Sequence, residues 1–183
     1  MSIRTIRVNG DPILRKVSKQ VKEITPRTEE LISDMINDLH DFDGVGLAAV
    51  QVGVLKRICI ICINPEDLGL EPDEINEFNP EEYNMHTGGQ DIVIINPEIT
   101  IDGGETQTGN EGCLSVPGKY GQVTRPFRIT LNAFDMELKP YTLKAEGLLA
   151  RAIQHEADHM EGIMYIDKLE GELHSNDEEE DEE

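Results

Sequence analysis

The chain has 183 residues, with 37 acidic side chains against 16 basic ones and a net charge of −21. That length suits one domain with a real core, and the charge excludes both a sequence-independent grip on nucleic acid and docking on anionic lipid. Apolar runs such as Ile58 to Ile63 fall far short of the ~18 residues a membrane span requires, and Met1-Ser2-Ile3-Arg4 opens without the apolar stretch of a signal peptide.

In chain order, Asp11-Pro12-Ile13-Leu14 reads as a short helical turn. Thr25-Pro26 can cap a helix, with the proline at its first position. Leu31, Ile32, Met35, Ile36, Leu39 and Phe42 then recur at helical spacing, which predicts an amphipathic helix over 27–42, stopped by Gly44-Val45-Gly46. Residues 57–63 are apolar and mostly β-branched, a buried strand. Cys59 and Cys62 lie three apart within it, so they point to opposite faces and read as core rather than as a pair. With only three cysteines, a disulfide framework is not expected, and a reducing, cytoplasmic compartment is. Residues 64–91 hold nine acids and no Lys or Arg, and 64–90 reads as a solvated acidic loop or insertion. Asp91 to Asn96 is a second strand, closed by Pro97. Arg128 to Phe134 and Tyr141 to Ala145 are a third and fourth. A last helix covers 147–161 and ends at Gly162. Residues 177–183 are seven consecutive acids, a disordered tail. Helices near the ends with strands between predict an α+β fold. The expected division is one catalytic domain over 1–170 carrying the acidic insertion, followed by the tail at 171–183.

Three segments carry chemistry. His155-Glu156-Ala157-Asp158-His159 places two imidazoles at i and i+4 on one helix face, within reach of one metal ion, with Glu156 placed to move protons beside it. The bland reading is two interior histidines satisfied by hydrogen bonds. Such a site needs a third ligand, and Glu111-Gly112-Cys113-Leu114-Ser115 offers Cys113 on a sharply shaped loop. A single cysteine can also be a small buried hydrophobe. In Gly44-Val45-Gly46-Leu47-Ala48-Ala49-Val50-Gln51, small residues permit close backbone approach, and a buried Gln51 amide must find partners, a substrate oxyanion among them. The plain alternative is a loop packed closely against a helix. His40, His86 and His174 lack paired partners and read as surface residues.

Taken in order, Gly-x-Gly-Leu-Ala-Ala-x-Gln, Glu-Gly-Cys-Leu-Ser and Gln-His-Glu-x-Asp-His resemble the three signature motifs of the peptide deformylase family, in its type I bacterial and organellar form. The similarity also takes in Gly10 to Arg15, Asn96-Pro97, Arg125-Pro126 and Gly147 to Arg151. It implies antiparallel sheets around a central metal-binding helix. It implies a hydrolase of protein biosynthesis that removes formyl from the N-terminal formyl-methionine of new polypeptides and releases formate. It implies one divalent metal, natively ferrous iron, replaceable by zinc, nickel or cobalt. By position, Cys113, His155 and His159 would be the ligands, and Glu156 the general base and then acid. Gln51 and the Leu114 N–H would form the oxyanion hole. Val45, Gly46, Gly109, Gly112, Leu148, Arg151 and Ala152 would surround the substrate methionine. Arg125 would pair with Glu111 to brace the cysteine loop.

The chain departs from the family pattern at Val50, at the less apolar pocket positions Gly109 and Arg151, and in the insertion. Family members can dock on ribosomes through a basic C-terminal helix, and the acidic ending here argues against that docking. Three competing readings are a metalloprotease with Glu170 or Glu172 as third ligand, a cysteine hydrolase with His155 as base, and an acidic interaction protein with no catalysis.

Overall fold

A computed structural model describes residues 4–64, 68 and 84–176. Most of the acidic insertion and all of the seven-acid tail lie outside the described residues.

Two helices flank a sheet. Helix α1 spans Pro26–Asp41, where the Thr25 hydroxyl accepts from the Thr28 N–H at 3.3 Å. Leu31, Ile32, Met35 and Leu39 form its buried face. Strands β1 (Gly46–Ala48), β2 (Ile58–Ile61), β3 (Ile92–Ile101), β6 (Arg128–Phe134) and β7 (Pro140–Glu146) form a five-stranded antiparallel sheet in the order β1-β2-β3-β6-β7. Strands β4 (Thr106–Cys113), β5 (Val116–Pro126) and β8 (His174–Ser175) form a second antiparallel sheet. Helix α2, Gly147–Met160, carries the two-histidine motif.

Around β2 the packing is layered. Ile58, Ile60 and Cys62 pack in a cluster with α1, whereas Cys59, Ile61 and Ile63 pack in another with α2. Burial on both faces explains why this strand reads as an unbroken apolar run rather than an alternating one. It also puts Cys59 and Cys62 in different layers of the core.

The first turn of α2 has no side-chain cap. The Leu149 N–H donates to the Met85 carbonyl at 3.0 Å and the Glu146 N–H to the Asn84 carbonyl at 2.9 Å. The end of the 64–90 segment is therefore packed structure rather than solvated loop, and His86 within it is buried. At the other end Gly162 takes a left-handed φ of 74° against the Arg15 backbone. No described helix is long and apolar enough to cross a membrane.

Several expectations need correction. β3 does not close at Pro97. It runs on to Ile101 through a register shift between Ile95 and Glu98. A proline cannot donate to the ladder, so it sits at an irregularity, where Asn96 turns left-handed at φ 51°. The Asn96 side chain clamps Val21 there, accepting from its N–H and donating to its carbonyl, both at 2.8 Å. The β4–β5 hairpin was not predicted. Of the segment 171–183, residues 171–176 are described, and His174 stacks on Tyr120 while β8 pairs with β5. The ordered unit therefore continues past 170.

Candidate active site

A cleft of about 830 Å³ opens between α2, β1 and the β4–β5 hairpin. One-turn spacing on α2 sets the His155 and His159 rings edge to face, with centroids 4.9 Å apart. Cys113 ends β4 at a register slip after Gly112, and a tight turn through Leu114 and Ser115 leads into β5. It is therefore a strand-end residue at a bulge, not a residue of a free loop. Bulges re-aim side chains, and this one brings the Cys113 Sγ to 3.3 Å from the His159 Nε2. The donor atoms of Cys113, His155 and His159 all lie within 4.8 Å of one another.

Behind them sits a buried charge cluster centred on Glu111. Its carboxylate accepts from the Arg125 Nε at 2.5 Å and Nη2 at 2.8 Å, and from the Arg151 Nη1 at 2.8 Å. It also meets the His155 Nδ1 at 2.8 Å. Arg125 reaches on to Asp158 at 2.8 Å, and Lys168 closes on the same oxygen at 2.6 Å. Burial would raise the Glu111 pKa, but hydrogen bonds from Arg125 and His155 outweigh it and hold the carboxyl far below its usual range. Burial opposes charge on His155 too, yet hydrogen bonding to Cys113 and Glu111 lifts it to about 10. Burial, then the charge of His155, push His159 well below its ordinary value.

Glu156 is buried, and burial pushes its carboxyl up to about 7. A Cβ at Gly46 would lie 2.6 Å from the Glu156 Oε1. The glycine in β1 therefore makes the room that this carboxyl occupies. Gln51, also buried, accepts from the Ala48 N–H at 2.8 Å through its Oε1. That bond fixes the amide, and its Nε2 donates to the Ser115 Oγ at 3.2 Å and toward the Cys113 Sγ at 3.4 Å.

Of the expected site residues, Val45, Gly46, Gln51, Glu111, Gly112, Cys113, Leu114, Leu148, Arg151, Ala152, His155 and Glu156 line the cleft. His159 and Arg125 lie beneath its floor, each nearly inaccessible. Gly109 is not in the lining. It stands behind Arg151, whose Nη2 would be 3.3 Å from a Cβ there. Arg151 turns its guanidinium away from an apolar pocket, toward Glu111 and the Val123 and Gln107 carbonyls. Sequence reasoning gave no role to Ser115, although it stands in the quoted motif, nor to Tyr165, whose ring stacks on His155 at 6.0 Å. No local pattern marks Tyr165, because its contact comes from a short 3₁₀ turn after α2. Phe42, Tyr120 and Asn176 complete parts of the rim.

The family model described as polypeptide deformylase matches residues 3–174. The chain belongs to that family. A peptide deformylase of Lachnoclostridium phytofermentans is 48% identical over 185 residues, covering 100% of both chains. One from Agathobacter rectalis is 47% identical over 174 residues, covering 95% of this chain and 94% of its own. The crystal structure of peptide deformylase from Ehrlichia chaffeensis superposes with a TM-score of 0.79 at 36% identity, covering 92% of this chain and 89% of that one. The α+β fold with antiparallel sheets is that of its deformylase neighbours. The protein is an enzyme, a hydrolase of protein biosynthesis that removes N-terminal formyl groups from nascent polypeptides.

Deformylases use a divalent metal, and the residues present fit one. A thiol with two imidazoles is a donor set that borderline divalent ions favour. Two buried polar atoms at the site, the Glu156 Oε2 and the His159 Nδ1, lack hydrogen-bond partners among the described residues. An unpaired buried carboxylate oxygen is costly unless a water or ligand meets it.

Proposed function

We propose that Cys113, His155 and His159 hold the deformylase metal, natively Fe²⁺, and that Glu156 is the proton carrier of the reaction. The observation behind this reading is the placement of the buried Glu156 carboxyl beside the three converging donors, with one oxygen left unpartnered. When bound, the ion supplies Lewis acidity, lowering the pKa of a coordinated water from about 15.7 toward 7.

The remaining steps belong to this chain's residues. Glu156 takes a proton from the attacking water and passes it to the departing amine, a task suited to a carboxyl whose pKa lies near neutrality. The Gln51 amide and the Leu114 N–H meet the charge that develops on the formyl oxygen. Because the Ala48 N–H already holds the Gln51 Oε1, the amide plane is oriented before substrate arrives, and the formyl oxygen takes the N–H that otherwise points toward the Cys113 Sγ. Val45, Leu148 and Ala152, with the backbone of Gly46 and Gly112, flank the methionine side chain. Arg151 acts with Arg125 to fix Glu111, and Glu111 orients His155 through its Nδ1.

Newly made N-formylmethionyl peptides are the substrate, and the cytoplasm near the ribosome is the proposed setting. Ribosome docking through a basic C-terminal helix is not part of this reading. The catalytic domain is taken to carry the 64–90 insertion and to end before the seven-acid tail. Metal content measured together with formate release from formyl-Met-Ala-Ser tests the reading. Cys113→Ser should lose both metal and formate release. Retained metal with full activity would refute the ligand assignment.

A further inference from the structure

A second group of metal-ligating side chains stands outside the cleft. His40 lies in the last turn of α1, Cys62 follows β2, and Asp91 precedes β3. Their donor atoms lie within 4.8 Å of one another. The His40 Nε2 is 2.8 Å from the Asp91 Oδ1.

The fold explains the convergence. β2 and β3 pair antiparallel, with Ile61 opposite Ile92 as the last rung. One step further along that register sets Cys62 opposite Asp91, and directly opposed residues on one sheet face are close neighbours. That face is the one covered by α1, since Cys62 packs with Leu39 and other α1 residues in one cluster. The Cys62 N–H is also held by the Val45 carbonyl at 3.0 Å. Three separate elements thus deliver an imidazole, a thiol and a carboxylate to one point.

We propose that His40, Cys62 and Asp91 form a second, structural site for a divalent transition ion such as Zn²⁺, distinct from the catalytic site. Metal–ligand bonds of about 2.0–2.3 Å place donors around a tetrahedral ion roughly 3.3–3.7 Å apart, so the observed cluster needs only a small adjustment. A thiolate and a carboxylate neutralise the charge of the ion, and neutral imidazole completes an N, S, O set that zinc accepts. Water can take the remaining position, because His40 and Asp91 are partly open to solvent, with side-chain exposures of 51% and 27%. Cys62 and Asp91 are also the two ends of the 63–90 segment. The ion would therefore staple the base of the insertion to α1, and closing a loop of that length restricts the unfolded chain.

The test is metal stoichiometry on the full chain, loaded with Zn²⁺ and dialysed. The parent should hold two zinc ions per chain. His40→Ala and Asp91→Asn should each hold one, with formate release intact, because neither residue lines the cleft. In Co²⁺-loaded Cys113→Ser, a thiolate-to-cobalt charge-transfer band should persist, and adding His40→Ala should abolish it. A parent with a single zinc ion, variants that match the parent's count, or a Cys113→Ser chain without the band would each overturn the proposal. Both variants change partly exposed side chains, so in chelator-treated protein a melt close to the parent's is expected and serves as the folding control, whereas the zinc-loaded variants should melt below the zinc-loaded parent. Loss of formate release in His40→Ala at one remaining zinc would place the residue in the catalytic machinery and refute a separate structural site.

Discussion

Glu111→Gln isolates the charge cluster that joins the cysteine hairpin to the histidine helix. The substitution keeps the size of the side chain and removes one negative charge facing Arg125, Arg151 and His155. Breaking a buried ion pair on one side typically costs about 3–5 kcal/mol. Arg125 keeps Asp158, and Arg151 keeps the Val123 and Gln107 carbonyls, so the lower end applies, about 3 kcal/mol. For a chain of this size each kcal/mol moves the melting temperature by about 2–4 °C, which gives a drop of roughly 6–12 °C in the metal-loaded protein. A neutral amide accepts from the His155 Nδ1 less strongly than the carboxylate does, so metal binding should also weaken, by up to about 10–100-fold, the usual effect of removing such a support. A thermal melt and a zinc competition titration measure the two effects. The Glu111 pKa is depressed in the folded state, so its contribution is present above the unfolded value of about 4.3 and is lost as pH falls below it. In chelator-treated protein, the gap between parent and variant should therefore narrow on acidification from about pH 4.3. A melting temperature within about 2 °C of the parent, with metal affinity unchanged, would refute the view that this cluster organises the site.

Glu156→Gln should keep its metal and lose about 10²–10⁴ in turnover, the usual worth of general acid–base catalysis; formate release within tenfold of the parent would remove the assigned role. Gly46→Ala should push the Glu156 carboxyl aside, because the added Cβ falls 2.6 Å from its Oε1. The expected result is a large fall in kcat with a melt changed by only a few degrees, and unchanged kcat would show that the carboxyl tolerates displacement. Gln51→Leu should lower kcat about 10²–10³ more than it raises KM, whereas a rise in KM alone would make the amide a substrate contact. Deleting 177–183 takes the net charge from −21 to −14 and should leave both the melt and deformylation of a short peptide unchanged; a drop of several degrees would show that the acidic tail belongs to the fold.

Much of the site was legible because its spacing is short-range. The i, i+4 histidines and the capped, periodic α1 need only local geometry, and both stand where the spacing put them. The β4–β5 hairpin was illegible for a physical reason. Thr106 to Cys113 reads Thr-Gln-Thr-Gly-Asn-Glu-Gly-Cys, with no apolar alternation, since its inward positions bury Glu111 rather than a hydrophobe. A charge there is tolerated only because Arg125 and Arg151 arrive from β5 and α2, and no local pattern announces partners that distant. The same limit holds for the guanidinium of Arg151, a cleft-lining residue that turns toward Glu111, and for His86, whose burial comes with the end of the insertion that supports α2.

These misses share a cause that bears on how the site works. Glu111 sits in β4, Arg125 in β5, and Arg151, His155 and Asp158 on α2, yet together they form one electrostatic unit. The hairpin aims the thiol, the helix aims the imidazoles, and the Glu111 carboxylate, bonded to the Arg125 fork and the His155 ring, fixes the distance between them. In this arrangement the three donors are set less by any one element than by the buried ion pairs that lock two elements together. The sequence shows the donors as motifs. It does not show the lock, because a buried charge looks like a solvated one until its partners are found.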